Sequence, residues 1–391
     1  MLVNRLKTTY IFYVVFILFL FFGFTNVSIS STVSLRIYQV FIPFLSIYLI
    51  FNMKYIKNIK LFEVEFILFY LYMGITFFWS IDKILSLRLM ILQIMLIVFY
   101  FYLRVEFNKF RIKELESFII KIGKYYILGS FVFYILGLYV FATSPIKGEV
   151  FYLGLMQESI LPRLRGFAES PNDFILYALF FLVFFINQHR YALIFLTVIS
   201  LVLSFSTTGL IICFLIFYIS YFKRILSPKF IFYTLVMIMI LVLLYINFIQ
   251  TNEDFMRMIE WRLERNESGT GRFDLWIYVL HFINNNIWGY GINTTRVLIK
   301  SFHALNSVHN SILEVFLTGG WIGLLLYLLL YLTIFIYALL IWKYHNDSKM
   351  FLIFFMFFIA GMANNTLDVG FLVFSISILY QYASRRNLRN E

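Results

Sequence analysis

Long apolar runs, broken by short polar stretches, fill most of the chain. A helix needs about 20 mostly apolar residues to cross a hydrocarbon core. Twelve runs predict such helices: 9–24, 35–51, 61–79, 84–103, 118–141, 172–187, 191–205, 208–222, 230–249, 309–341, 351–363 and 366–383. The runs 191–205 and 208–222 are short, and only Asn364 and Asn365 separate the last pair. The pattern therefore predicts an all-α polytopic membrane protein forming one integral domain over 1–391. The runs are continuous, so they do not fit the alternating apolar and polar strands of a membrane β-barrel.

The polar breaks set an orientation. Short cytoplasmic loops carry excess Lys and Arg. With Arg5 and Lys7 inside, alternation puts Lys54, Lys57, Lys60, Arg104, Lys109, Arg111, Lys113, Lys223, Arg224 and Lys229 inside as well. The tail with Arg385, Arg386 and Arg389 follows, so both termini are expected to be cytoplasmic. The outer segments are then 26–34, 79–83, an outer loop over 142–171, the 204–207 turn and a long outer loop over 250–308. That long loop holds six basic and six acidic residues and is neutral. The N-terminal run has the basic start and apolar core of a signal peptide. It lacks a clear small-x-small cleavage site, so an uncleaved first helix is expected.

Composition agrees. Of the 391 residues 62% are hydrophobic and 13% charged, against roughly 45–50% and about 25% in soluble domains. That balance excludes a soluble enzyme, a disordered chain and a secreted disulfide scaffold. The lone Cys213 can form neither an internal disulfide nor a cysteine metal site. The +12 charge is spread over separate inner loops. It suits anionic lipid and not nucleic acid, which needs one clustered basic face. No repeat is evident, and Pro43, Pro145, Pro162, Pro171 and Pro228 fall at helix ends or in loops, which weakens a transporter reading.

Four polar groups on the expected outer side need explaining. Arg163 and Arg165 precede a helix start at Ser170-Pro171, in a group that also holds Glu169 and Asn172. Free N–H groups and two guanidiniums there suit a phosphate or sugar acid. They suit lipid headgroups equally well. Ser204-Phe-Ser206-Thr207-Thr208-Gly209 is a hydroxyl-rich turn, a weak signal alone. Gly269-Thr-Gly271 leads into a helix with Arg272 in its first turn, where its charge opposes the helix dipole unless an anion is present. Asp274 suits that end, and Trp276 follows. Residues 252–266 read as an amphipathic helix on the bilayer or capping the bundle.

In the fourth group His309-Asn310-Ser311 and Glu314 open the next helix, followed by Gly319-Gly320-Trp321-Ile-Gly323. A His there has a pKa suited to proton transfer, or it caps the helix. Asn310 and Glu314 share a helix face, whereas His309 and Glu314 point ~140° apart. His303 and His309 lack further ligands at metal-binding spacing, so no metal site is expected. Trp276, Trp288 and Tyr290 could stack on sugars or sit in an interfacial belt.

Together these residues resemble the O-antigen polymerase and O-antigen ligase superfamily. The likeness is best over Arg272–Gly323, where Gly-Arg-x-x-x-Trp, Gly289-Tyr-Gly291, His309-Asn310-Ser-x-Leu-Glu and Gly-Gly-Trp-Ile-Gly follow the family's order. Arg165-Gly-Phe with Pro171-Asn172 is similar to its central motif. The resemblance implies a GT-C-type glycosyltransferase of the bacterial inner membrane. Its donor and acceptor would be glycans on undecaprenyl diphosphate, with membrane lipids around it. Neither metal, cofactor nor nucleotide sugar is implied, and a chain-length regulator is admitted as a partner. Arg272 matches the family's diphosphate-binding arginine, and His309 the histidine that helps activate the acceptor. In one respect the chain departs. The family often has a Ser-Arg or Thr-Arg pair after span seven, where this chain has Thr207-Thr208. Either the second contact is missing or Arg163 or Arg165 replaces it. Polymerisation of repeat units is the leading expectation and ligation to lipid A core the second. A lipid-glycan flippase is the rival of another class, and it would need polar residues along a cavity through both halves.

Overall fold

The computed structural model describes residues 2–22, 26–28, 34–143, 150–158, 161–225, 272–299, 308–364, 366 and 370–385. The expected span 230–249, the amphipathic stretch 252–266, Gly269-Thr-Gly271, His303 and the tail after Arg385 lie outside them.

The described chain is mostly helical. Its helices are α1 (Leu2–Phe21), α2 (Ile37–Val40), α3 (Ile42–Asn52), α4 (Leu61–Ile75), α5 (Lys83–Phe107), α6 (Ile112–Thr143) and α7 (Pro171–Asn187). They continue with α8 (Tyr191–Leu203), α9 (Thr207–Ile225), α10 (Arg272–Asn285), α11 (Thr295–Leu298), α12 (Ser311–His345), α13 (Lys349–Ala363) and α14 (Gly370–Arg385). Among the described residues, α4 with its 3₁₀ extension to Trp79, α5, α6 and α12 are long and apolar enough to cross a membrane, and six further apolar helices are shorter.

Three features depart from the all-helical reading of the apolar runs. The expected span 35–51 is broken. Residues Ser34–Arg36 pair as β2 with Asn26–Ser28 (β1), and α2 stops at Phe41. Pro43 lies in the first turn of α3, where its missing N–H costs nothing, so it starts a helix and does not continue one. The eleven residues of α3 rise only ~16 Å, short of the ~30 Å core. Second, the expected loop 142–171 contains a three-stranded antiparallel sheet, β3 (Val150–Tyr152), β4 (Leu155–Glu158) and β5 (Leu161–Leu164). It is pinned to α6 by Gly154 N–H to Phe133 O and by Tyr134 OH to Pro162 O. Third, α12 breaks at Gly320, whose φ is 61° and ψ −158°. The run 309–341 is thus two helices joined at a kink.

One end of the bundle gathers Lys57, Arg104, Lys109 and Lys349 with the start of α1 and the end of α14. Phe12 of α1 meets Phe107 and Phe110, and Tyr380 OH donates to Lys57 O. The other end, here called the site end, gathers the starts of α7, α9, α12 and α14 and the ends of α4, α6, α8 and α13.

Aromatic packing holds the helices together. Phe16, Tyr177, Phe180, Phe371 and Phe374 interlock where α1, α7 and α14 meet, with Tyr177 and Phe371 centroids 4.2 Å apart. Lipid tails are as apolar as Phe, so such close packing, rather than exclusion of water, drives helix association in a bilayer. Every residue of α7 from Phe174 to Ile186 is buried, which makes it a central helix. Phe44, Ile47, Ile50 and Phe51 on α3 stay exposed, as a lipid-facing surface requires.

The helices are less free of charge than their composition implies. Arg104 and Glu63 form a fully buried ion pair of 3.2 Å, with Tyr100 OH donating to Glu63. Arg104 also lies over the Tyr380 ring and donates to Lys57 O. Lys349 binds Glu116 and Asp347 at 2.8 and 3.1 Å. These pairs cluster away from the site end and satisfy one another.

Candidate functional site

Residues 272–299 and 308–317 build a small second core at the site end. Leu275, Val279 and Ile283 on one face of α10 pack against Ile299, Val308 and Leu317. The spacing 275, 279, 283 is one turn per step, the stripe of an amphipathic helix. The first part of α12, up to the Gly320 break, therefore belongs to this cap.

The cap is tied to the bundle through backbone. Ser80 and Ser86 hydroxyls both donate to Ile292 O, and Ile292 N–H donates to Thr76 Oγ1. Tyr290 and Gly291 N–H donate to Leu317 O and Thr318 O, and Trp321 N–H to Ile287 O. The Gly-Tyr-Gly turn thus docks against the Gly-Gly break. Gly289, Gly291 and Gly320 all have positive φ, which only glycine adopts without cost.

His309 sits between two clamps. Trp276 Nε1 donates to Val308 O at 3.0 Å, and Val308 N–H reaches Glu314 Oε2 at 3.4 Å. The other Glu314 oxygen accepts from Thr295 Oγ1. Tyr290 OH donates to Phe282 O within the cap. Trp276, Tyr290 and Glu314 thus use polar atoms to shape the turn. The turn puts His309 at φ +53°, a left-handed conformation rare outside glycine. Asn310, and not His309, caps the helix. Its Oδ1 accepts from Ile312 and Leu313 N–H, while Nδ2 donates to Met362 O at 3.3 Å.

Arg272 comes to the same place. Its Nη1 donates to Ala363 O at 3.0 Å, one residue along from the carbonyl that Asn310 binds. The last turn of α13 offers unpaired carbonyls, and these hold both functional segments. Burial and the nearby Arg272 charge lower the His309 pKa to about 4. His309 is therefore a neutral imidazole at physiological pH, able to accept a proton.

The first arginine group is organised differently. Ser170 caps α7, accepting from Asp173 N–H, with Pro171 in the first turn as expected. Arg163 Nε donates to Ser204 O at 2.9 Å, and its Nη2 lies 3.5 Å from Asn172 Oδ1. This joins the first group to the hydroxyl turn. Arg163 thus stands against the Ser204–Thr207 turn. Arg165 is held by carbonyls: Leu153 O accepts from Nε and Nη2, and Ala168 O from Nη1. It also lies over the Phe151 ring. Burial lowers its pKa below the usual arginine value. Glu169 binds Arg36 at 2.7 Å; its charge also acts on Arg165, whose Nη1 donates to the Glu169 carbonyl at 3.5 Å. Packing of α13 on α7 and α9 brings this group to the same end of the bundle as Arg272 and His309.

Sequence reasoning passed over Arg36, the Met362 and Ala363 carbonyls, and the Thr76, Ser80 and Ser86 hydroxyls. Arg36 did carry a signal, since it is basic at the end that the charge rule leaves poor in Lys and Arg. The carbonyls carried none.

These features define an integral membrane protein with a small helical cap that sets a neutral histidine beside an arginine. Residues 192–328 match the family model described as O-antigen ligase, so this segment carries the domain of the O-antigen polymerase and ligase superfamily that its motifs resemble. A comparison with curated proteins finds no match. The matched segment includes Arg272, Trp276, Tyr290, His309, Asn310 and Glu314, while Arg163, Arg165, Glu169 and Asn172 precede it.

Proposed function

We propose that the protein polymerises undecaprenyl-diphosphate-linked oligosaccharide repeat units into surface polysaccharide, O-antigen or capsule. It does so as a metal-independent GT-C-type glycosyltransferase, at the outer face of the bacterial inner membrane. Both termini face the cytoplasm and the site end faces outward. The observation that carries this reading is the placing of neutral His309 beside Arg272 at the end of α13.

The chemistry follows from those two groups. His309 takes the proton from an acceptor sugar hydroxyl as its oxygen attacks the donor's anomeric carbon. The bond from that carbon to the diphosphate oxygen breaks on the opposite face, so the configuration inverts. The electron pair leaves on the diphosphate, and Arg272 stabilises the growing charge with a permanent planar cation. Arg163 serves as the second diphosphate contact, in place of the missing Thr-Arg pair. Asn310 and Asn172 contact the glycan, and the cap holds His309 in register.

The test is the surface glycan ladder of a deletion strain rescued with wild type or His309→Ala. Polymerisation predicts core plus one repeat unit in the deletion and no ladder with His309→Ala. The second reading is ligation of finished glycan to lipid A core, favoured by the matched family's description. It predicts lipid-linked polymer with none on the core. A ladder fully restored by His309→Ala would overturn both and leave the flippase reading. The buried ion pairs do not favour a flippase, because they gather at one end and do not line a path.

A further inference from the structure

A second basic site lies at the site end, apart from Arg272 and His309. It is a cavity of about 260 Å³ between β2, α5 and α11, lined by three arginines, Arg36, Arg88 and Arg296. Asn293 and Gln39 add amides, and no carboxylate lines it. Three like charges around one small cavity repel one another, and more so beside a low-dielectric bundle. Arg36 is paired with Glu169 and also feels the charge of Asp173. Among the described residues Arg88 and Arg296 have neither an ion pair nor a hydrogen bond.

The remaining wall is apolar and has a direction. Leu85, Leu89 and Leu92 share the α5 face with Arg88 and lead from the site end toward the middle of the bundle. Beside them Ile84, Leu87 and Ile91 are exposed, as on a lipid-facing helix. The cavity is smaller than the ~300–1,000 Å³ of ordinary ligand pockets. It suits a compact anionic head, not an oligosaccharide. It is also built rigidly. Asn293 has φ +64° in the loop that Thr76, Ser80 and Ser86 pin to the α4–α5 corner, and Arg296 follows within one turn.

We propose that this cavity binds the phosphate of a lipid, with the head among Arg36, Arg88 and Arg296 and the chain along Leu85, Leu89 and Leu92. The lipid is either a bulk anionic phospholipid or an isoprenoid diphosphate. In the second case, and on the polymerase reading, it is the carrier of the acceptor glycan. Glu169 links Arg36 to the loop that holds Arg163 and Arg165, so occupancy here touches the same strap that leads to the candidate site.

The experiment uses the full chain, purified in detergent and stripped of lipid. Binding of farnesyl diphosphate, phosphatidylglycerol and inorganic pyrophosphate is measured by native mass spectrometry and competition. The Arg88→Gln/Arg296→Gln variant should bind its lipid about tenfold more weakly, while Arg272→Gln leaves that site unchanged. Preference for farnesyl diphosphate identifies the carrier, and equal competition by phosphatidylglycerol identifies a bulk headgroup. Either result supports a lipid phosphate site. Unchanged binding of both lipids by the double variant overturns it, as does inorganic pyrophosphate bound there as tightly as the lipids. The lipid-free double variant should melt at or above the wild-type temperature, because repulsion is relieved. A large fall would make the arginines structural and overturn the proposal. His309→Ala, which tests the polymerase reading, should leave lipid binding intact.

Discussion

Gly289 and Gly320 meet backbone to backbone, with no room for a side chain on either. A Cβ on Gly289 would lie 2.5 Å from the Gly320 nitrogen, and one on Gly320 would collide with the Ile287 and Trp288 backbone. Both residues have positive φ. Alanine at either position should lower stability by more than the ~1–3 kcal/mol of backbone strain alone, because the clash adds to it. Gly323→Ala is the control, since the nearest neighbour of its Cβ is 3.4 Å away. Thermal melts in detergent should show a large fall for the first two and little change for the third.

The acid limb of activity reports on His309. In the proposed mechanism its neutral form is the base, and its pKa is lowered to about 4 by burial and by Arg272. Polymerisation rate should therefore stay level down to about pH 5 and fall as pH nears 4. Arg272→Gln removes the repelling charge, so the limb of its residual activity should move up. A limb near 6.5 in the wild type would contradict the buried position.

Asn310 separates capping from chemistry. Asn310→Ala should cost about 1 kcal/mol of stability. Asn310→Asp keeps the acceptor for Ile312 and Leu313 and suits the helix dipole, so stability should hold. It loses the donor to Met362 and puts a negative charge beside the proposed diphosphate site at Arg272, so turnover should fall severalfold. Melting curves and glycan synthesis on the same samples distinguish the two effects.

Arg163 and Arg165 should behave differently. Arg165→Gln frees buried carbonyls of Leu153 and Ala168, so the melting temperature should fall, with KM for the donor little changed. Arg163→Gln should raise that KM, because Arg163 stands at the turn expected to meet the diphosphate.

At the far end, Arg104→Met leaves Glu63 buried without its ion partner. That should cost about 3–5 kcal/mol. Adding Glu63→Leu should restore much of it, as measured by melting of single and double variants.

Hydropathy made the helices legible because burial in lipid demands continuous apolar sequence. It misread 35–51, where Ser34–Arg36 pair as a strand and Pro43 starts a new helix. It found the helix of 309–341 but not its kink. The reason is shared: Pro43 and Gly320 break backbone without breaking hydropathy. Arg272, His309 and Asn310 were legible as motif residues, since their chemistry lies in side chains. Their meeting point was not, because Met362 and Ala363 act through carbonyls that every residue has. The buried pairing of Glu63 with Arg104 was missed because each falls at the edge of an apolar run, where a charge ordinarily reaches water.

The segment that carries the family's domain does not stand by itself. Arg272 and Asn310 rest on carbonyls of Ala363 and Met362, beyond its end. Ile292 hangs from Thr76, Ser80 and Ser86, more than a hundred residues before its start. A hybrid made by grafting this stretch onto another membrane bundle would inherit the motifs and lose the anchors that aim them. Crossovers within the gene that separate the segment from these anchors should therefore abolish function even where every motif is kept.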